Sequence, residues 1–125
     1  MAQGKILVTD DEEDILEIVA DRLEFYGFEV RTARDGVECL KAIDQELPDL
    51  LLLDIRMPRL DGLGVLARLR EDHPDLPVVV ITASSERHMA EDTLSRGAVD
   101  YLLKPFEPAE LQEKVLQALR SEPPK

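Results

Sequence analysis

Apolar residues fall into two alternating patterns along this chain. Short apolar runs at residues 5–9, 50–53, 78–81 and 99–103 suit strands, and the second and third are almost unbroken leucine or valine. An unbroken run is the mark of a strand covered on both faces. Residues 28–32 alternate apolar with polar, as an edge strand does. Between these runs the spacing changes to three and four residues. Ile15, Ile18, Val19 and Leu23 form one such set, and Val37, Leu40 and Ile43 a second. Leu63, Leu66, Ala67 and Leu69 form a third, and Leu111, Val115, Leu116 and Leu119 form the last. A weaker helix is expected up to Arg96, with Ser84 or Ser85 as its N-cap. Gly27 and Gly97 stand where helix C-termini favour a left-handed residue.

Strands and helices therefore alternate about five times. That order predicts an α/β fold: a five-stranded parallel sheet, doubly wound, with helices on both faces. The runs at 50–53 and 78–81 should be central. Ligands of such sheets bind beyond the carboxyl ends of the strands, where the strand order reverses. The residues that follow each strand are thus the ones to read for chemistry.

Composition narrows the class. The 125 residues are 44% hydrophobic and 34% charged, a globular balance. Fifteen Lys and Arg against 27 Asp and Glu give a net charge of −12, which disfavours binding to nucleic acid or to a membrane surface. The one cysteine, Cys39, excludes an internal disulfide and reads as an inert thiol on a helix. No apolar run approaches a membrane span, and the first residues do not read as a signal peptide. A cytoplasmic domain over residues 1–120 is expected, with 121–125 a tail or the stub of a linker.

Asp10 and Asp11 follow the first strand, Asp54 the third, Thr82 the fourth and Lys104 the fifth. If the sheet forms, three carboxylates, a hydroxyl and an ammonium share one rim. Two carboxylates about 4 Å apart repel by about 4 kcal/mol at an effective dielectric near 20. Lys104 relieves part of this, and a hard cation such as Mg²⁺, which takes carboxylate oxygens, would relieve the rest. His73 and His88 lie away from the strand ends, which argues against zinc. A carboxylate can attack phosphorus to give an aspartyl phosphate. Mg²⁺ and Lys104 would neutralise the phosphoryl oxygens, and Thr82 would donate a hydrogen bond to one.

Taken singly, these residues have plainer explanations. The acid run can be the first turn of a helix, favoured by its dipole. Thr82 can cap a strand end, Lys104 can be a surface lysine, and Tyr101 can be half-buried packing. The stretch Gly62-Leu63-Gly64-Val65-Leu66-Ala67 fits a dinucleotide fingerprint, but a proline-bearing loop separates it from the strand. The position about 20 residues on is Thr82 rather than an acid, so NAD or FAD binding is rejected.

Four linked motifs resemble the receiver domain of bacterial two-component response regulators. They are I-L-V-T-D-D-E at 6–12, L-L-L-D-I-R-M-P-R-L-D-G at 51–62, V-V-V-I-T-A at 78–83 and G-A-V-D-Y-L-L-K-P-F at 97–106. The resemblance implies a flavodoxin-like fold with strand order 2-1-3-4-5 and five helices. It implies that Asp54 accepts a phosphoryl group from a phosphohistidine on a partner kinase or phosphotransfer protein. Asp10 and Asp11 would hold Mg²⁺ together with Asp54 and the main-chain carbonyl of Arg56. Thr82 and Lys104 would contact the phosphoryl group, and Tyr101 would be the aromatic switch that alters the surface of helix 4, strand 5 and helix 5 for an unidentified output partner or domain. The resemblance leaves a homodimer through that surface open. It further suggests that Arg56 and Ser84 tune phosphoryl lifetime.

Two other functions compete. A phosphatase or mutase that forms an aspartyl phosphate typically needs a second acid two residues after the nucleophile, where this chain has Arg56. A plain binding surface would not need the full set of acids, hydroxyl and lysine. The expectation is a phosphoacceptor switch, not an enzyme, with at most slow self-dephosphorylation.

Overall fold

The structure, a computed structural model, describes residues 4–57 and 60–120. The tail at 121–125 and Pro58 lie outside the described residues. The elements run β1 (Lys5–Thr9), α1 (Glu13–Phe25), β2 (Glu29–Ala33), α2 (Gly36–Gln45), β3 (Leu50–Asp54) and α3 (Gly62–Asp72). They continue through β4 (Val78–Ala83), a 3-10 turn (Ser84–Glu86), α4 (Arg87–Ser95), β5 (Asp100–Lys104) and α5 (Pro108–Arg120). The strands form one parallel sheet in the order β2-β1-β3-β4-β5. This is the flavodoxin-like arrangement that the motifs implied.

Because side chains alternate across a strand, each strand feeds two cores. Ile6, Val8, Leu50, Leu52, Val79, Ile81 and Leu102 meet α1 and α5 on one face. Leu7, Leu51, Leu53, Val78 and Val80 meet α2 and α3 on the other, where Met89 of α4 also packs. Every residue of β3 is buried, which is why its first four residues can all be leucine. β2 lies at the edge and keeps polar residues exposed.

Several helical faces differ from the expectation. In α1 the inward stripe is Leu16, Val19 and Leu23, while Ile18 is 61% exposed. A rotation of about 100° per residue carries Ile18 off the stripe that Leu16 and Val19 define. In α3, Val65 joins Leu66 and Leu69 in the core and Ala67 faces solvent. In α5, Leu111, Val115 and Ala118 are buried, and Leu116 and Leu119 only border the core. β2 begins one residue later than its alternation suggested and reaches Ala33, because Glu29 and Ala33 pair with Lys5 and Thr9 of β1.

Neither Ser84 nor Ser85 caps α4. They form the 3-10 turn, and the residue before α4 is Glu86, which makes no side-chain cap. Aspartates cap the helices that do have caps: Asp35 accepts from the Glu38 amide at 2.8 Å, and Asp61 from the Gly64 amide at 2.9 Å. Gly27 and Gly97 take φ of +96° and +107° at the ends of α1 and α4, as their positions suggested. Cys39 is buried, and burial pushes its thiol up to about 11, as an inert thiol should be. His88 is exposed.

Candidate functional site: an acidic rim around Asp54

Strand order reverses between β1 and β3, since β1 is followed in sequence by β2 on one side and in space by β3 on the other. The register aligns Thr9 with Leu53, Asp54 with Ile81, and Ala83 with Lys104. Asp10, Asp54, Thr82 and Lys104 therefore reach the same edge from four different strands. A cavity of about 370 Å³ opens there, lined by Asp11, Glu12, Asp54, Arg56, Thr82 and Lys104 among others.

Lys104 is the electrostatic centre. Its ammonium donates to Asp10 Oδ2 at 2.8 Å and lies 3.6 Å from both Asp54 Oδ2 and Glu12 Oε1. Burial alone would lower its pKa, but the bond to Asp10 and the charges of Asp54, Asp10 and Glu12 outweigh it, so the net shift is upward. Lys104 stays an ammonium.

Asp54 is 4% exposed, at the end of four leucines. Burial, then the charge of Asp10 and a hydrogen bond with it, push its carboxyl up to about 7. Lys104 and the Arg56 amide, which donates to Asp54 Oδ1 at 3.2 Å, oppose the rise. Two facing carboxylates with one lysine between them hold more negative charge than the lysine can offset. Asp10 is fixed at its other oxygen, where Oδ1 accepts from the Glu12 amide at 3.0 Å.

The donor set fits a hard cation. Asp10, Asp11 and Glu12 bring carboxylate oxygens within 4.8 Å of one another, and all are oxygen donors. Thr82 fits a phosphoryl acceptor for a separate reason: its hydroxyl is buried and has no hydrogen-bond partner among the described residues. A buried hydroxyl without a partner costs stability, and a phosphoryl oxygen would supply the acceptor it lacks.

Tyr101 does not join this cluster. It sits on β5 opposite Val80, half-buried against the α3 side of the sheet, with the Lys114 ammonium 5.8 Å from its ring centroid. Two charged residues of the rim carry no mark of their pairing in the sequence. In the sequence Glu12 closes the 6–12 motif and belongs to the acid run, with nothing to mark that it faces Lys104. Glu86 lies in the segment expected to be helical and instead pairs with Arg56 at 2.7 Å. The acid run at 10–13 placed the first at the rim, but no local pattern marks the second.

The profile of the response regulator receiver domain family matches residues 6–116. The chain belongs to this family. The receiver is 43% identical over 116 residues to the alkaline phosphatase synthesis transcriptional regulatory protein PhoP of Bacillus subtilis, covering 93% of this chain and 48% of that protein. It is equally 43% identical to the probable transcriptional regulator ycf27 of Guillardia theta, covering 93% of this chain and 45% of that one. The chain thus spans about half the length of the curated relatives it matches. Among solved structures, the receiver domain of NtrX from Brucella abortus superposes with a TM-score of 0.91 at 41% identity, covering 94% of this chain and 99% of that domain. Among the receiver's described residues, no helix is long and apolar enough to cross a membrane.

Proposed function

We propose that the receiver is a phosphoacceptor switch in which Asp54 takes a phosphoryl group from the phosphohistidine of a partner kinase or phosphotransfer protein. The observation that carries this reading is the burial of Asp54 between Asp10 and Lys104, beside an unpartnered Thr82 hydroxyl. In the transfer, an Asp54 oxygen bonds to phosphorus as the phosphorus–nitrogen bond breaks, and the imidazole keeps the electron pair. The Arg56 amide holds one Asp54 oxygen, leaving the other for phosphorus. Lys104 pairs with the phosphoryl oxygens, and Thr82 donates to one of them.

Asp10, Asp11, Asp54 and the main-chain carbonyl of Arg56 would hold Mg²⁺. When bound, that ion would offset the charge of the carboxylates and of the phosphoryl oxygens. Turnover of outside substrates is not part of this reading. The site has no acid two residues beyond Asp54, where Arg56 stands.

Phosphorylation adds charge and acceptor oxygens at Asp54. Thr82 and Lys104 would move toward them, and the half-buried Tyr101 ring would follow Thr82 inward. That would change the surface of α4, β5 and α5 for an output partner or domain. The relatives named as transcriptional regulators suggest that such an output acts on transcription. A net charge of −12 favours contact with protein over direct contact with nucleic acid. A phosphohistidine donor charged from ATP would place the switch in the cytoplasm.

Incubation with acetyl phosphate and Mg²⁺, followed by intact-mass measurement, tests the proposal. One added phosphoryl group is expected in the wild-type chain, and none in Asp54→Asn or when Mg²⁺ is chelated. An unmodified wild-type chain, or modification that persists in Asp54→Asn, would refute it.

A further inference from the structure

The phosphoryl chemistry leaves one close backbone approach near the rim without a task. Gly36 is the first residue of α2 and is buried. It does not take a positive φ, so its own backbone conformation does not call for glycine. Space does. A Cβ on Gly36 would lie 2.2 Å from the Leu60 carbonyl oxygen and 2.9 Å from its carbonyl carbon, backbone atoms that cannot swing aside. Leu60 belongs to the loop after the acceptor strand. Its side chain rests over Gly64 of α3, where a Cβ would come within 2.7 Å of Leu60 Cδ1. The starts of α2 and α3 thus hold Leu60 between two glycines. The hold continues to Asp54. The Gly62 amide donates to the Ile55 carbonyl at 2.8 Å, and Gly62 lies so close to the Asp54 carbonyl that no Cβ fits between them. The Asp54 carboxylate in turn accepts from the Arg56 amide at 3.2 Å. A chain of contacts therefore runs from the start of α2 to the two groups that would hold Mg²⁺ beside Asp10 and Asp11.

We propose that Gly36 is a positioning residue for the metal site: the start of α2, seated on Leu60, fixes the end of β3 and so sets how tightly Asp54 and the Arg56 carbonyl hold Mg²⁺. The inference rests on the reading of Asp54 as acceptor and metal ligand. Mg²⁺ demands near-ideal octahedral geometry, so small displacements of its ligands weaken binding. A side chain at position 36 cannot be absorbed by α2 itself. The first turn of α2 is fixed by Asp35, whose side chain accepts from the Glu38 amide at 2.8 Å and whose carbonyl accepts from the Cys39 amide at 2.9 Å. The loop is the part that yields. Gly36 touches neither the ion nor phosphorus and acts only through Leu60.

Calorimetric titration with Mg²⁺ alone, on the wild type, Gly36→Ala, Leu60→Ala and Val115→Ala, tests the proposal. Val115 is buried in the core on the opposite face of the sheet, so its truncation weakens the fold through a core that Leu60 does not join. Gly36→Ala should bind Mg²⁺ roughly tenfold more weakly, the loss typical when a group that orients metal ligands is disturbed. Leu60→Ala empties the space between the two glycines and adds no clash. It should also bind the ion more weakly, and it decides the matter if Gly36→Ala does not fold. Val115→Ala should match the wild type. Modification of Gly36→Ala by acetyl phosphate should need about tenfold more Mg²⁺ for its half-maximal rate. Wild-type affinity in folded Gly36→Ala or in Leu60→Ala, or an equal loss in Val115→Ala, overturns the role of Gly36. Wild-type protein that binds no Mg²⁺ or takes up no phosphoryl group overturns the reading of Asp54 first, and this inference with it.

Discussion

The Lys104 ammonium donates to Asp10 Oδ2 at 2.8 Å, joining residues 94 positions apart in the chain. It also lies 3.6 Å from Asp54. One lysine thus offsets part of the repulsion between two buried carboxylates.

Removing that lysine should cost stability. In Lys104→Met the two carboxylates stay buried without their cation, and breaking such an arrangement typically costs about 3 kcal/mol. Urea unfolding in metal-free buffer should show a loss of that order, partly restored by Mg²⁺. Asp54 should still react with acetyl phosphate, but slowly. Normal partner binding by the phosphorylated variant would sink the role given to Lys104 in the switch.

Asp54 should make the metal-free protein less stable as pH rises. Its carboxyl is held up at about 7 in the fold, against an ordinary value of 3.8 in the unfolded chain. Below 3.8 both states are protonated and the group contributes nothing. Between 3.8 and 7 the unfolded state ionises freely while the folded state keeps its proton, so stability falls with rising pH. Above 7 the penalty is complete. Asp54→Asn should therefore stabilise the metal-free protein at pH 8 by up to about 4 kcal/mol, with the gain fading toward pH 4. Chemical unfolding of both proteins across that range checks the sign.

Thr82→Val should separate stability from signalling. The substitution keeps the shape and removes a buried hydroxyl that has no partner among the described residues. The unmodified protein should be as stable as wild type or more so, by up to about 1 kcal/mol. Uptake of the phosphoryl group should persist, while the chemical-shift change at Tyr101 that accompanies it should be lost. A clear loss of stability in Thr82→Val would mean that the hydroxyl already has a structural task.

Gly62 guards the acceptor strand. A Cβ there would lie 2.6 Å from the Asp54 carbonyl oxygen and from the Ile55 Cα, both backbone atoms that cannot swing away. Its own amide donates to the Ile55 carbonyl at 2.8 Å. Gly62→Ala should cost roughly 1–3 kcal/mol through overpacking. It should also slow the reaction of Asp54 by displacing the strand end. Unfolding curves and the rate of acetyl phosphate modification measure the two effects.

The alternation of apolar runs with helical spacing was enough to place the five strands and the chemistry at their ends, because a doubly wound parallel sheet imposes those patterns on its chain. Motif resemblance added the order of the strands. Hydrophobicity alone misjudged which flank of a helix faces the sheet. Ile18 is as apolar as Val19 but points to solvent, since helix rotation is set by the whole packed face. The convergence of Asp10, Asp54, Thr82 and Lys104 could be foreseen, because strand ends are defined by local sequence. The pairing of Lys104 with Glu12 and of Arg56 with Glu86 could not. Those contacts depend on how loops and a 3-10 turn sit after the sheet has assembled, and charges far apart in sequence carry no local mark of the partner they will meet. The residue types and their order determined what chemistry the rim can hold. Only the tertiary structure decided which charges neutralise one another there, because that depends on distances of a few ångströms and on the exclusion of water.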